Sequence, residues 1–207
     1  MKDMVTKILQ TSTFLCMMLS VAILTCYAGE ASTVKSASHI IDDSSAAEFR
    51  MGMEAYQKQQ YSSALKFFRQ AAGQGDVEAI VQMGLMYDFG RGVCQNYNEA
   101  MRWYLKAAEK GEPRAMYLVG HMYEFGEGVS VNTDEAFSWY LKSARLGHAS
   151  AQFEIGKALT RSSPDTHRYQ EGIKWLQLAA GQCHPKAADL LQSVTNLPFD
   201  TSICAGG

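Results

Sequence analysis

The sequence predicts an all-α solenoid of about four helix-turn-helix repeats with a C-terminal capping helix. Three observations predict it. Tryptophan recurs at Trp103, Trp139 and Trp175, each 36 residues after the last. Ala79, Ala115, Ala151 and Ala187 keep the same step, as do Gly84, Gly120 and Gly156, and Ala72, Ala108, Ala144 and Ala180. Within each period, small and aromatic residues fall at spacings of three and four, which places them on one face of a helix. One period held by several unrelated residue types marks a tandem array, and units of roughly 20–50 residues build their core by stacking on their neighbours.

The N-terminal stretch lies outside the repeat. Lys2 and Lys7 precede a mostly apolar run from Ile8 to Ala28, with small residues at Ala28 and Ala31. This is the pattern of a secretory signal peptide over residues 1–28, cleaved after Ala28 or Ala31. The run is about 21 residues long, close to what crosses a bilayer, so an uncleaved anchor is a second reading. Lipoprotein cleavage before Cys26 is a third, although Thr25 is larger than the residue such signals usually carry there. All three readings export residues 32–207. Residues 29–45, rich in Ser, Ala and Asp, read as a solvated linker.

Helical periodicity begins near Ala46. The first segment of each full repeat carries Ala, an apolar residue, Gly and Tyr: Ala79, Met83, Gly84 and Tyr87, then Ala115, Val119, Gly120 and Tyr123. A two-glycine loop follows, Gly90-Arg91-Gly92 or Gly126-Glu127-Gly128. The second segment carries Ala100, Trp103, Tyr104, Ala107 and Ala108, or Ala136, Trp139, Tyr140, Ser143 and Ala144, and ends at Gly111 or Gly147 as a C-terminal glycine should. Gly84 and Ala100 lack bulk, so the paired helices approach closely, while Trp and Tyr are expected to fill space against the next repeat.

Segments 79–111 and 115–147 resemble the Sel-one-like repeat family, a subset of the tetratricopeptide-like α-solenoids, almost throughout. The resemblance covers about 46–192 and implies a right-handed α-α superhelix. It divides the protein into units at 46–76, 77–112, 113–148 and 149–184, a capping helix at 185–195 and a tail at 196–207. The first unit departs from the pattern. Gly52 precedes Ala64 by 12 residues where Gly84 precedes Ala100 by 16, which resembles an ordinary tetratricopeptide repeat with a tighter turn. The fourth unit replaces the glycine loop with residues 161–165 and places Leu159 and Leu176 where tyrosines stood.

The chemistry of catalysis is sparse. Each Gly-x-Gly follows a helix and no GK[ST] follows it, so these glycines suit positive φ in a turn rather than a phosphate loop. No nucleophile–base set and no carboxylate pair for acid–base work stands out. His148 and His184 share one turn position and are expected at the surface. There is no CxxC or Cys/His cluster with metal spacing, so neither metal nor cofactor is expected. Without residues 1–28 there remain 17 basic and 20 acidic residues, a balance of −3 that implies neither nucleic acid nor an anionic membrane. Membrane contact is expected only through an N-terminal anchor. Of Cys94, Cys183 and Cys204, the last two are the most plausible disulfide pair, and three free thiols are the alternative reading.

The resemblance implies that the first helix of each pair lines the concave side. Counted from the glycine, the lining positions lie six and three before it and one and four after it. They give Ala46, Phe49, Met53 and Tyr56 in unit one, and Glu78, Val81, Leu85 and Asp88 in unit two. Units three and four give Arg114, Tyr117, His121 and Glu124, and Ser150, Phe153, Lys157 and Thr160. These positions vary while the packing positions do not. The expected function is an exported, non-catalytic interaction scaffold or adaptor that holds a protein or peptide segment against Val81, Leu85, Asp88, Tyr117, His121, Glu124, Phe153 and Lys157. Aromatic anchors and polar fixing points are what such a surface requires. The alternatives are a protein that binds or hydrolyses a β-lactam-like cell-wall ligand and a structural envelope component. Some secreted relatives bind or slowly hydrolyse β-lactams, but they carry a cysteine pair in each repeat, whereas Cys94 meets Ser130 one period on.

Overall fold

Among the described residues, six helices are started by a side chain that satisfies an orphan backbone donor, and three of the second helices are followed by a glycine at positive φ. The computed structural model describes residues 44–161, 163–164 and 166–196. The expected signal segment, most of the linker and nearly all of the tail lie outside them. Helix α1 covers residues 44–57, followed by α2 (Tyr61–Gly73), α3 (Val77–Asp88), α4 (Tyr97–Glu109) and α5 (Pro113–Phe125). Then come α6 (Thr133–Arg145), α7 (Ala149–Leu159), α8 (His167–Gly181) and α9 (Ala187–Thr195).

The caps explain the register. Asp76 accepts from the Ala79 amide at 2.8 Å, and Asn96 and Asn132 accept from the Glu99 and Glu135 amides at 3.1 Å. Such caps satisfy one of the four free donors at a helix start and contribute about 1 kcal/mol each. Beyond the second helices, Gly75, Gly111 and Gly147 adopt φ of +96°, +86° and +91°. Only glycine enters that region without a Cβ penalty. The first unit has no glycine loop, and Gln59 takes a positive φ of 58° in its shorter turn.

From α2 onward, each helix packs on the next in sequence. Within a pair, the glycine of the first helix receives a ring or branched side chain from the second. A Cβ on Gly120 would sit 2.7 Å from the Tyr140 ring, and one on Gly156 would sit 2.7 Å from Leu176. Gly84 meets Tyr104 in the same way, and Gly52 meets Phe68. Between pairs, the second loop glycine does the joining. A Cβ on Gly92 would strike the Tyr61 carbonyl oxygen at 2.7 Å, and one on Gly128 would strike the Tyr97 carbonyl carbon at 2.7 Å. Each loop therefore rests on the start of the preceding second helix, and positive φ and close approach make the same demand there.

One expectation is met in part and one is corrected by this packing. Tyr104 is fully buried, lying over Gly84 in its own helix pair and sharing a cluster with Val119 and Met122 of the next. The tryptophans are only partly buried. Trp139 packs on clusters drawn from helices before α6, and Trp175 packs on a cluster of α6 and α7. They face the preceding part of the stack, with the Lys142 ammonium 3.9 Å from the Trp139 ring centroid. A large amphipathic ring with a lysine over its face is stable half-exposed.

The capping helix forms as expected, over Ala187–Thr195. The Tyr169 hydroxyl donates to the Val194 carbonyl at 2.6 Å and ties α9 to α8. Cys183 is disulfide-bonded, and Cys94 is free and exposed. The expected partner, Cys204, lies outside the described residues.

Candidate interaction surface

The lining positions divide into three kinds once side chains are placed. The position three before the glycine is structural. Val81 is completely buried and Phe153 is 7% exposed, so neither is available to a partner as it stands. Phe153 stacks on His184 at 4.6 Å, and Tyr117 lies 4.9 Å from His148. Each ring thus meets the histidine 31 residues on, at the turn that begins the next unit.

Those histidines are therefore not the surface residues expected. His148 is half-buried and caps α7, its Nδ1 accepting from the Ala151 amide at 3.3 Å. Burial holds its imidazole below the ordinary range, and Arg114 pushes the same way against Glu112. Burial also lowers His184, whose Nδ1 is buried with no hydrogen-bond partner. Both rings are packing groups kept neutral by their surroundings.

The position four after the glycine is a clamp. The Tyr104 hydroxyl donates to Asp88 at 2.9 Å, and the Tyr140 hydroxyl donates to Glu124 at 2.6 Å. Burial raises Asp88 while the Tyr104 hydrogen bond opposes the rise; burial pushes both tyrosine hydroxyls far up. In the fourth unit, Thr160 turns its hydroxyl back to the Gly156 carbonyl at 2.9 Å. Asp88 and Glu124 are thus first of all partners within their own repeat.

What remains open is the position one after the glycine and the position six before it. Leu85, His121 and Lys157 are partly exposed, and Glu78 and Arg114 are exposed. His121 lies 3.4 Å from Glu127 and 4.4 Å from the Phe125 ring, while Lys157 pairs with Glu154. Leu85 packs partly on two apolar clusters, and Tyr117 lies against Tyr140 at 5.4 Å. Glu78 is raised by partial burial and by the nearby Glu112 and Asp76 carboxylates, with Arg114 opposing.

A recess of about 160 Å³ opens between units three and four, lined by Glu124, Phe137, Tyr140, Glu154, Lys157 and Arg161 among others. Glu124 and Lys157 were expected at a site; Glu154, Phe137 and Arg161 were not. The signal for them was present. One period earlier their places hold Leu118, Met101 and Phe125, so Glu154 and Arg161 are charges where the preceding unit is apolar.

Stacked helix pairs with constant packing positions and a variable first-helix face define an α-solenoid of the helix-turn-helix repeat class. The protein belongs to the Sel1 repeat family, whose repeat matches residues 45–76, 77–112, 113–148 and 149–182. The match includes the first unit despite its tighter turn. The fold is similar to that of a Sel1 repeat protein from Oxalobacter formigenes, with 32% identity and a TM-score of 0.65 over 70% of this sequence and 60% of that one. It is also similar to c5321, a protective antigen present in uropathogenic Escherichia coli strains displaying an SLR fold. There the identity is 31% and the TM-score 0.66, over 77% of this sequence and 35% of that one. The match thus spans less than two thirds of either protein's length. No curated protein matches it. Proteins of this repeat family are generally non-enzymatic scaffolds for protein interaction. No helix among the described residues is long and apolar enough to cross a membrane.

Proposed function

We propose that this protein is an exported scaffold that holds a segment of a partner protein against the face formed by its first helices. The observation that carries the reading is the contrast between positions. The same glycines, alanines and rings recur where helices touch, while Glu78, Leu85, Arg114, His121 and Lys157 differ from unit to unit and keep part of their surface in solvent. Stacking sets these side chains on rigid helices, so recognition needs little ordering of the scaffold. Export is supported by the charged-then-apolar pattern of residues 1–28 and by the disulfide at Cys183, which suits an oxidising compartment.

The test is affinity capture from an envelope fraction with the wild-type protein and a Glu78→Arg/Arg114→Glu/His121→Ala variant. These residues lie away from the packed seams, so the fold should survive, as circular dichroism would verify. The expected result is one or more partners lost by the variant. Equal retention of every partner would reject this face as the recognition surface.

A further inference from the structure

We infer that the recess between units three and four binds a free apolar α-amino acid in its zwitterionic form. This goes beyond the scaffold reading and does not depend on it. The recess exists because the repeat departs from itself there. One period earlier, Tyr97 and Leu118 pack on the local apolar cluster and Met122 is 1% exposed within it. Thr133, Glu154 and Ala158 take those places around the recess, so bulk is removed and polarity added across one seam. Stacking alone does not ask for this, since the preceding seam achieves it with a filled interior.

The charges around the recess are unequally committed. Glu154 is held by Lys157. Glu124 receives the Tyr140 hydroxyl on Oε2. Its other oxygen and the Arg161 guanidinium have no hydrogen bond or ion pair among the described residues. The recess therefore offers one uncommitted acceptor on a carboxylate and one uncommitted cation, with Ala136, Phe137 and Ala158 as apolar wall. Two carboxylates and two cations balance, so a ligand with no net charge fits without leaving a residual charge. A volume of about 160 Å³ suits one residue rather than a drug-sized molecule. An ammonium for Glu124, a carboxylate for Arg161 and an apolar side chain for the wall together make a free amino acid. The terminal residue of a polypeptide carries only one of the two charges.

The experiment is a titration of the ¹⁵N-labelled protein with leucine, valine and phenylalanine, read by amide chemical shifts. N-acetylleucine and leucinamide serve as the blocked probes, and Arg161→Gln, Glu124→Gln and Ala158→Met as the variants. At least one free amino acid is expected to shift Thr133, Ala158 and Arg161 saturably. Each blocked form should bind at least about tenfold more weakly, because a charged group of the site is left unpaired. Ala158→Met restores the methionine of the preceding seam and should abolish the shifts. Arg161→Gln alters an exposed residue and tests the same point if the methionine disturbs folding. The inference is overturned if no free amino acid saturates, if either blocked form binds within about threefold of its parent, or if Arg161→Gln binds like the wild type. N-acetylleucine equal to leucine would instead indicate capture of a polypeptide's carboxyl end, and leucinamide equal to leucine capture of an amino end.

Discussion

The Tyr140 hydroxyl donates a 2.6 Å hydrogen bond to the Glu124 carboxylate while its ring lies over Gly120. One residue thus closes the helix pair twice, by filling the notch above the glycine and by holding the last turn of α5. Tyr104 repeats the arrangement over Gly84 with Asp88. Tyr140→Phe should keep the packing and leave a half-buried carboxylate without its donor, at a cost of roughly 1–3 kcal/mol. Glu124→Gln keeps an acceptor and should cost less. Urea unfolding of both variants checks this, and no loss in Tyr140→Phe would deny the clamp any energetic role.

The glycines separate two kinds of demand. Gly120→Ala places a methyl 2.7 Å from the Tyr140 ring and 3.2 Å from the Ala136 carbonyl oxygen, and overpacking of this kind costs about 1–3 kcal/mol. Gly147→Ala meets nothing within 4 Å but must hold a φ of +91°, which costs about 1–2 kcal/mol. Gly128→Ala combines a φ of +71° with backbone of Tyr97 at 2.7 Å, and backbone cannot rotate away. It should be the most damaging of the three when their unfolding midpoints are compared.

Full and partial burial of rings should also differ. Tyr104 is completely buried, whereas Trp139 shares its face with Lys142 and solvent. Tyr104→Ala should lose at least about 3 kcal/mol, and Trp139→Ala should fall below that. Chemical denaturation of the two variants decides it; the reverse order would restore the tryptophans to the centre of the core.

The histidines give the pH dependence its sign. Burial lowers His148 and His184 in the folded protein, so the unfolded state binds more protons between the lowered value and the ordinary one. Stability should therefore fall on going from about pH 7.5 to about pH 5.5. Asp88 and Glu78 are raised, and their protonation acts in the opposite direction just above the ordinary carboxylate range. His148→Asn keeps a good capping group without the proton and should flatten the histidine-range slope. Melting curves across that range test it; an unchanged slope would remove His148 from the account.

The repeat was legible because packing is unforgiving at few positions. Gly84 and Gly120 stand where a ring must approach, and Gly92 and Gly128 where backbone meets backbone, so any change would be costly and the period shows through. The clamp was half-legible. Asp88 and Glu124 share a position, as do Tyr104 and Tyr140, yet their 16-residue separation connects them only after the helices pair. Val81 and Phe153 fell on the expected stripe, but spacing gives a direction around one helix and says nothing of the neighbour that covers it.

The period by itself determined an all-α stack, its units, its glycine turns and its capping helix, since each follows from local steric demands that recur every 36 residues. Only the tertiary structure decided which first-helix residues are spent on packing, which way the tryptophans face and where a recess opens. Those outcomes depend on how side chains from different units share one volume, and that sharing is a property of the assembled seams.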